Sequence, residues 1–268
     1  MQLLELERPI SDVVPHIFKR PVLTVRPNDS LLYVGTFLAT GPQIYVDGLV
    51  VVDNQKPVGR IGGQHIIQYI LQHQKDWPQA TAFDIMDHPS WMVDAGDPLD
   101  AALRIFSKTK FAFVPVTVNN TVATSLSVRD VLRIVANSKL DTAIGELSSR
   151  LVSAEHDTSI EKALQLMLQN GIRNLAVRNE KDHTGIINDR KILEFLVSYE
   201  GRRVIASPLA LDAVSVDFLD MPDARYVKQS MPADIAAEYL SNVSTPCLLF
   251  DDSIVTPWDI VIRGLLKA

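Results

Sequence analysis

The chain has 268 residues, 47% of them hydrophobic and 22% charged, with a formal net charge of −6. That length exceeds the usual single domain, and the acidic balance argues against a duplex-DNA binder, which needs a basic footprint. Cys247 is the one cysteine, so an internal disulfide and a cysteine-type zinc site are excluded.

The stretch from Met1 to Pro9 carries acids and lacks the basic start and long apolar core of a signal peptide. No apolar run approaches the roughly 18–20 residues needed to cross a bilayer. The expectation is a cytoplasmic protein without membrane contact. Self-similarity is the strongest signal: four units each read as extended segment, amphipathic helix, strand, turn, strand, amphipathic helix. The first predicts a helix over Ser30–Ala39, strands over Gly48–Val52 and Val58–Ile61, and a helix over His65–Leu71. Its run Gly59-Arg60-Ile61-Gly62-Gly63 lacks the Lys-Ser/Thr ending of a phosphate loop and reads as a tight strand-to-helix turn. His65 and His73 stand eight apart, a spacing that does not favour chelation, and read as structural.

In the second unit the helix Pro98–Thr109 starts behind Asp97, with Pro98 at its first position and Asp100 at the positive end of the dipole. Strand Phe111–Val118, turn Asn119-Asn120, strand Val122–Leu126 and helix Val128–Ala136 follow. A short joint, Asn137–Thr142, leads to the third unit. There Thr158 and Glu161 form a capping-box pair ahead of Ala163–Leu168, followed by Asn174–Val177, Gly185–Ile187 and Lys191–Val197. The longer stretch Ser198–Leu219 has room for an extra segment. The fourth unit repeats Pro98 and Asp100 as Pro232 and Asp234 in helix Pro232–Leu240. It continues with Cys247–Phe250, the turn Asp251-Asp252, Ser253–Thr256 and Pro257–Leu266.

Aligning the four strand-to-helix junctions puts His65, Asp130, Lys191 and Asp259 in register, at spacings of 65, 61 and 68 residues. In units two and four a hydroxyl precedes the carboxylate by three: Ser127 with Asp130, and Thr256 with Asp259. Residues so spaced face the same way across a first helical turn. The hydroxyl lies beside free N–H groups that favour a phosphate, and the carboxylate can accept both hydroxyls of a ribose. The same residues equally describe an N-cap and a solvated first-turn acid. Arg129 is placed to aid a phosphate or, like Arg133, to face water. Unit one has Gly62 and His65 in these positions, and unit three has Asn188 and Lys191. No Ser-His-Asp, Cys-His or paired-carboxylate motif has supporting context, and the repeat leaves no room for a catalytic domain.

The strand Phe113–Val116 (Phe-Val-Pro-Val), the run Leu126–Leu132 (Leu-Ser-Val-Arg-Asp-Val-Leu), Val58–Ile61, Gly185–Ile187 and Ile254–Asp259 together resemble the CBS-domain family. The likeness runs from Ile10 to Lys267 as four motifs, an arrangement similar to the γ subunit of the AMP-activated kinase. The resemblance implies an α/β fold of four β-α-β-β-α units at 10–73, 81–137, 144–198 and 212–267. The first pairs with the second and the third with the fourth, in two pseudo-twofold modules stacked as a disc, monomeric or dimeric. It implies no catalysis and no required cofactor, with clefts for AMP, ADP or ATP, or less often S-adenosylmethionine. Ser127 and Thr256 would then face phosphate, and Asp130 and Asp259 the ribose. Trp91 to Val93 and Arg225 to Val227 would lie against adenine, with Phe113 among the contact candidates. Arg173 would be a phosphate-side cation, a solvated arginine being the plainer reading. A regulated protein, rather than duplex nucleic acid or membrane, would be the partner. Thr124 and Ser253 stand where the family usually has glycine. The expectation is one working cleft per module, at units two and four, or a scaffold with decayed clefts.

Overall fold

The structure, a computed structural model, describes residues 5–41, 47–87, 91–138, 140–178, 184–206 and 210–266. Lys139 of the predicted joint, part of the stretch Ser198–Leu219, and Lys267 lie outside them. Among the described residues, four three-stranded sheets carry the fold. In units one to three, a short strand ahead of the first helix runs parallel to the first hairpin strand. These pairs are β1 (Thr24–Val25) on β2 (Leu49–Asp53), β4 (Val93–Asp94) on β5 (Phe113–Val118), and β8 (Ser153–Glu155) on β9 (Asn174–Arg178). Antiparallel partners β3 (Lys56–Ile61), β6 (Thr121–Ser127) and β10 (Thr184–Asn188) complete the hairpins. The turns Asn54-Gln55 and Asn119-Asn120 have φ between 49° and 67°, the left-handed conformation that a two-residue hairpin turn requires and asparagine tolerates.

Unit four departs from this plan. Its hairpin strands β11 (Leu248–Phe250) and β12 (Ser253–Val255) take their third strand, β7 (Ser149–Arg150), from the segment ahead of unit three. Its own leading strand is a single parallel bridge between Tyr226 and Leu249.

The main helices are α1 (Leu31–Thr40), α2 (Gly63–His73), α3 (Leu99–Thr109), α4 (Val128–Ala136), α5 (Ile160–Asn170), α6 (Asp189–Val197), α7 (Tyr199–Ile205) and α8 (Ala233–Ser241). A last helix spans 257–265 and takes π geometry over Asp259–Arg263. Helix α7 occupies part of the stretch left open after unit three. The helix starts correct the sequence reading. Pro98 and Pro232 are extended N-caps rather than first helical residues. The Asp97 carboxylate accepts the Asp94 N–H at 2.8 Å, turning the leading strand instead of capping the helix. In unit three Ser159, not Thr158, is the cap, accepting the Lys162 N–H at 3.2 Å. Glu161 accepts from Gln165 instead.

Sheets pack within each half of the chain. Between units one and two the Val122 N–H donates to the Gln55 carbonyl at 3.1 Å. Arg60, only 1% exposed, donates to the Phe113 carbonyl at 3.0 Å and pairs with Asp87. Between units three and four the seam is apolar: Ala176, Ile186, Cys247, Leu249 and Ile254. The segments leading into each unit cross to the sheet of its neighbour. Thr124 donates to the Ile17 carbonyl, Asp87 bridges Arg60, Asp223 bridges Gly185, and β7 joins β12.

The helices pack the other way. Helix α4 buries Val128, Val131, Leu132 and Val135, the spacing of one apolar face. That face joins α3, α8 and the last helix in one core that includes Leu103, Phe106, Leu240 and Ile260. A second core joins α1 and α2 to α5 and α6 through Leu31, Val34, Ile66, Leu164 and Leu193. Each core therefore draws on both halves of the chain, so neither half buries its apolar surface alone.

Candidate functional site

Ser127 ends β6 and caps α4. Its N–H donates to Asp130 Oδ2 at 2.8 Å, and its side chain accepts the backbone N–H at the third helical position. The hydroxyl and carboxylate thus satisfy each other's helix end. The Asp130 side chain is not solvated. It is 8% exposed and is gripped by Arg20, which lies in the segment leading into unit one. Arg20 Nη1 donates to Oδ1 at 2.8 Å and Nη2 to Oδ2 at 2.7 Å, with a further bond from Nη2 to the Ser125 carbonyl at 2.7 Å. His16 Nε2 stands 3.5 Å from Oδ1. Burial pushes the Asp130 carboxyl up. The contacts from His16 and Arg20, the Arg20 charge and the Ser127 N–H outweigh it and hold the group below the usual carboxylate range. Three donors occupy about three of the roughly four acceptor positions of a carboxylate. A ribose would have to displace Arg20.

Unit four repeats the arrangement with different partners. Asp259 Oδ2 accepts the Thr256 N–H at 2.9 Å and the Thr256 hydroxyl at 2.6 Å. Its Oδ1 accepts the Ser149 hydroxyl at 2.9 Å, and Arg263 Nη2 bonds the same Ser149 oxygen at 2.9 Å. Here too a segment from the neighbouring unit covers the carboxylate. The π turn at Asp259–Arg263 widens the helix just where Arg263 folds back.

The remaining sequence candidates are spread apart. Arg129 is half-buried, and its guanidinium donates to the Leu240 carbonyl at 2.6 Å. Arg173 is no open phosphate-side cation. Its Nε bonds Asp189 at 2.9 Å and its Nη1 bonds Asp47 at 2.8 Å. The charges of Asp189 and Asp47, with their hydrogen bonds, overcome burial and raise it above its ordinary value. Trp91 lies under the Lys108 ammonium, 4.9 Å from the ring centroid. The side chains of Val93 and Phe113 are buried in the packing. Arg225 covers the Tyr239 ring at 4.1 Å, and the Val227 N–H is bonded to the Leu249 carbonyl.

In unit one, His65 stands tilted against Phe111 with ring centroids 4.8 Å apart. Burial lowers it to about 4 against the pull of Asp87, with Arg60 assisting. In unit three, Lys191 is paired with Glu194 at 3.0 Å and Asp220 at 3.4 Å. Burial pushes the Cys247 thiol up to about 12, which makes it a poor nucleophile. A cavity beside Arg173, Asp189, Gln64 and Lys110 holds about 20 Å³, and another near Ile70 and Leu211 about 10 Å³. Each has space for a single water, whereas small-molecule pockets start near ~300 Å³. Neither touches Ser127, Asp130, Thr256 or Asp259.

The residues that sequence reasoning missed are Arg20, His16 and Ser149. A junction considered within its own unit does not disclose them, because these side chains arrive from the segment leading into the neighbour.

The CBS domain family model matches residues 82–137 and 144–198. The fold is similar to that of a Methanocaldococcus jannaschii protein proposed to be an archaeal homologue of γ-AMPK. The TM-score is 0.79 at 19% identity, covering 91% of this chain and 96% of that one. A conserved protein of Pyrococcus horikoshii aligns with a TM-score of 0.54 at 18% identity, covering 82% of this chain and 91% of that one. No curated protein sequence matches the chain.

Proposed function

We propose, for a chain whose residues 82–137 and 144–198 are CBS domains within the fold of a tandem CBS pair, that it is a non-catalytic regulator whose ligand cleft at unit two is held shut by Arg20. CBS pairs are regulatory ligand-binding modules. The observation that carries the reading is the two-pronged Arg20–Asp130 contact, made across 110 residues between two units. An adenosine ligand, AMP, ADP or ATP, would bind by replacing Arg20 on Asp130 with its ribose. Arg20 belongs to the segment that crosses from unit one to unit two, so its release shifts that segment, and a partner protein can read the shift. A ligand biases the two states only by its differential affinity for them, and here that difference is the freed carboxylate. The shared helical cores support modules stacked as a disc within one chain, working in the cytoplasm as monomer or dimer. Among the described residues no helix is long and apolar enough to cross a membrane.

A second reading, an interaction scaffold with decayed clefts, is favoured by the same closure at Asp259. Thermal unfolding with AMP, ADP, ATP and S-adenosylmethionine separates the two. Ligand at 100 times its dissociation constant adds about 2.7 kcal/mol, roughly 5–10 °C at this chain length. A shift that disappears in Asp130→Ala supports the regulator. No shift with any of the four supports the scaffold.

A further inference from the structure

At each of the four junctions, one residue stands immediately before the acid position: Gln64, Arg129, Arg190 and Trp258. All four reach the end of the first helix of a unit in the other half of the chain. Gln64 Nε2 donates to the Ile172 carbonyl at 3.1 Å, just past α5. Arg129 Nη1 donates to the Leu240 carbonyl at 2.6 Å, in the last turn of α8. Arg190 Nη2 donates to the Gly41 carbonyl at 2.8 Å, where α1 ends. In the fourth, the direction reverses. Lys110, the left-handed residue that ends α3, lays its ammonium 4.7 Å from the centroid of the Trp258 ring. The links run from unit one to three, two to four, three to one and four to two.

We propose that these four residues are inter-module tethers that couple the strand-to-helix junction of each unit to the first helix of the unit packed against it. The chemistry suits the place. The end of a helix leaves carbonyls without partners and carries partial negative charge, which a guanidinium or an amide donor satisfies. The four side chains differ in type, so position, not identity, defines the set. Each tether follows the hydroxyl position by two residues and precedes the acid position by one. A junction that shifts therefore drags its tether, and the opposite helix end loses or gains a donor. The shared cores of α4 with α8 and of α1 with α6 provide the stiff packing that such a link needs.

Amide hydrogen exchange on the full chain tests this without any ligand, so its failure is distinct from failure of the cleft reading. Arg129→Ala is expected to speed exchange severalfold over the last turn of α8 while leaving the last turn of α1 unchanged. Arg190→Ala is expected to do the converse. Asp130→Asn, which disturbs the junction, should speed exchange at the end of α8 when Arg129 is present and add nothing in the Arg129→Ala background. Should the alanine variants fail to fold, Arg129→Lys and Arg190→Lys are measured in the same way, with smaller effects at the same two sites. Unchanged exchange at both helix ends, or an equal rise at every helix end, overturns the proposal.

Discussion

Replacing Arg20 by alanine removes the guanidinium that bonds both oxygens of the Asp130 carboxylate. The guanidinium makes two bonds to Asp130 and one to the Ser125 carbonyl, and the paired side chains are 16% and 8% exposed. Removing one partner of a buried pair costs about 3–5 kcal/mol. Asp130 keeps the Ser127 N–H and the nearby His16, and water can enter the vacated space, so about 2–3 kcal/mol is expected. At this chain length that lowers Tm by roughly 5–10 °C. The pH dependence carries the sharper sign. In the wild type the Asp130 carboxyl is depressed. Its contribution is present above the unfolded value of about 3.9 and is lost as pH falls through the folded value. Without Arg20, burial dominates and the carboxyl rises, so the variant recovers stability by protonating. The gap between wild type and Arg20→Ala should therefore narrow as pH falls from about 7 toward about 4. Urea unfolding followed by fluorescence measures both quantities. A loss under about 0.5 kcal/mol, the ordinary range for a surface change, and the same at both pH values would refute the closed-cleft reasoning.

Three further outcomes follow from the same contacts. Arg173→Met leaves the Asp47 and Asp189 carboxylates without their shared cation, which should cost about 2–4 kcal/mol near neutral pH, read by denaturant unfolding. His65, lowered to about 4 by burial, stays neutral in the folded chain while the unfolded chain takes a proton near 6.5. Wild-type stability should fall between pH 6.5 and 4 by about 2–3 kcal/mol from this group alone, and His65→Gln should remove that slope. Gly48→Ala puts a methyl group against the Phe113 ring at a φ of +153°, so a loss above about 3 kcal/mol is expected. Phe113→Leu in the same chain should return part of it, measured by thermal unfolding.

What the sequence disclosed and what it hid divides along the range of the interactions. The Asn119-Asn120 turn and the spacing of Val128, Val131, Leu132 and Val135 are local, and both were legible. So was the pairing of Ser127 with Asp130, since a hydroxyl and an acid three apart meet at any helix start. What occupies the other side of that acid was not legible, because Arg20 arrives from 110 residues away. Arg129 shows the same limit: an arginine near a helix start reads as a phosphate ligand or a solvated charge, and only the packing of α4 on α8 brings it to Leu240. The prolines misled by one residue. A proline fits the first helical position, but the extended backbone of Pro98 and Pro232 makes them caps. The π turn in unit four has no local signature, since it depends on Arg263 reaching back to Ser149.

If an adenosine nucleotide and Arg20 compete for one carboxylate, calorimetric titration of AMP into wild type and Arg20→Ala near neutral pH measures that competition. Binding should be at least roughly tenfold tighter in Arg20→Ala, the equivalent of about 1.4 kcal/mol of removed competition, with the gain abolished by adding Asp130→Ala. Equal affinity in the two proteins, or no heat from AMP, ADP or ATP in either, would contradict it.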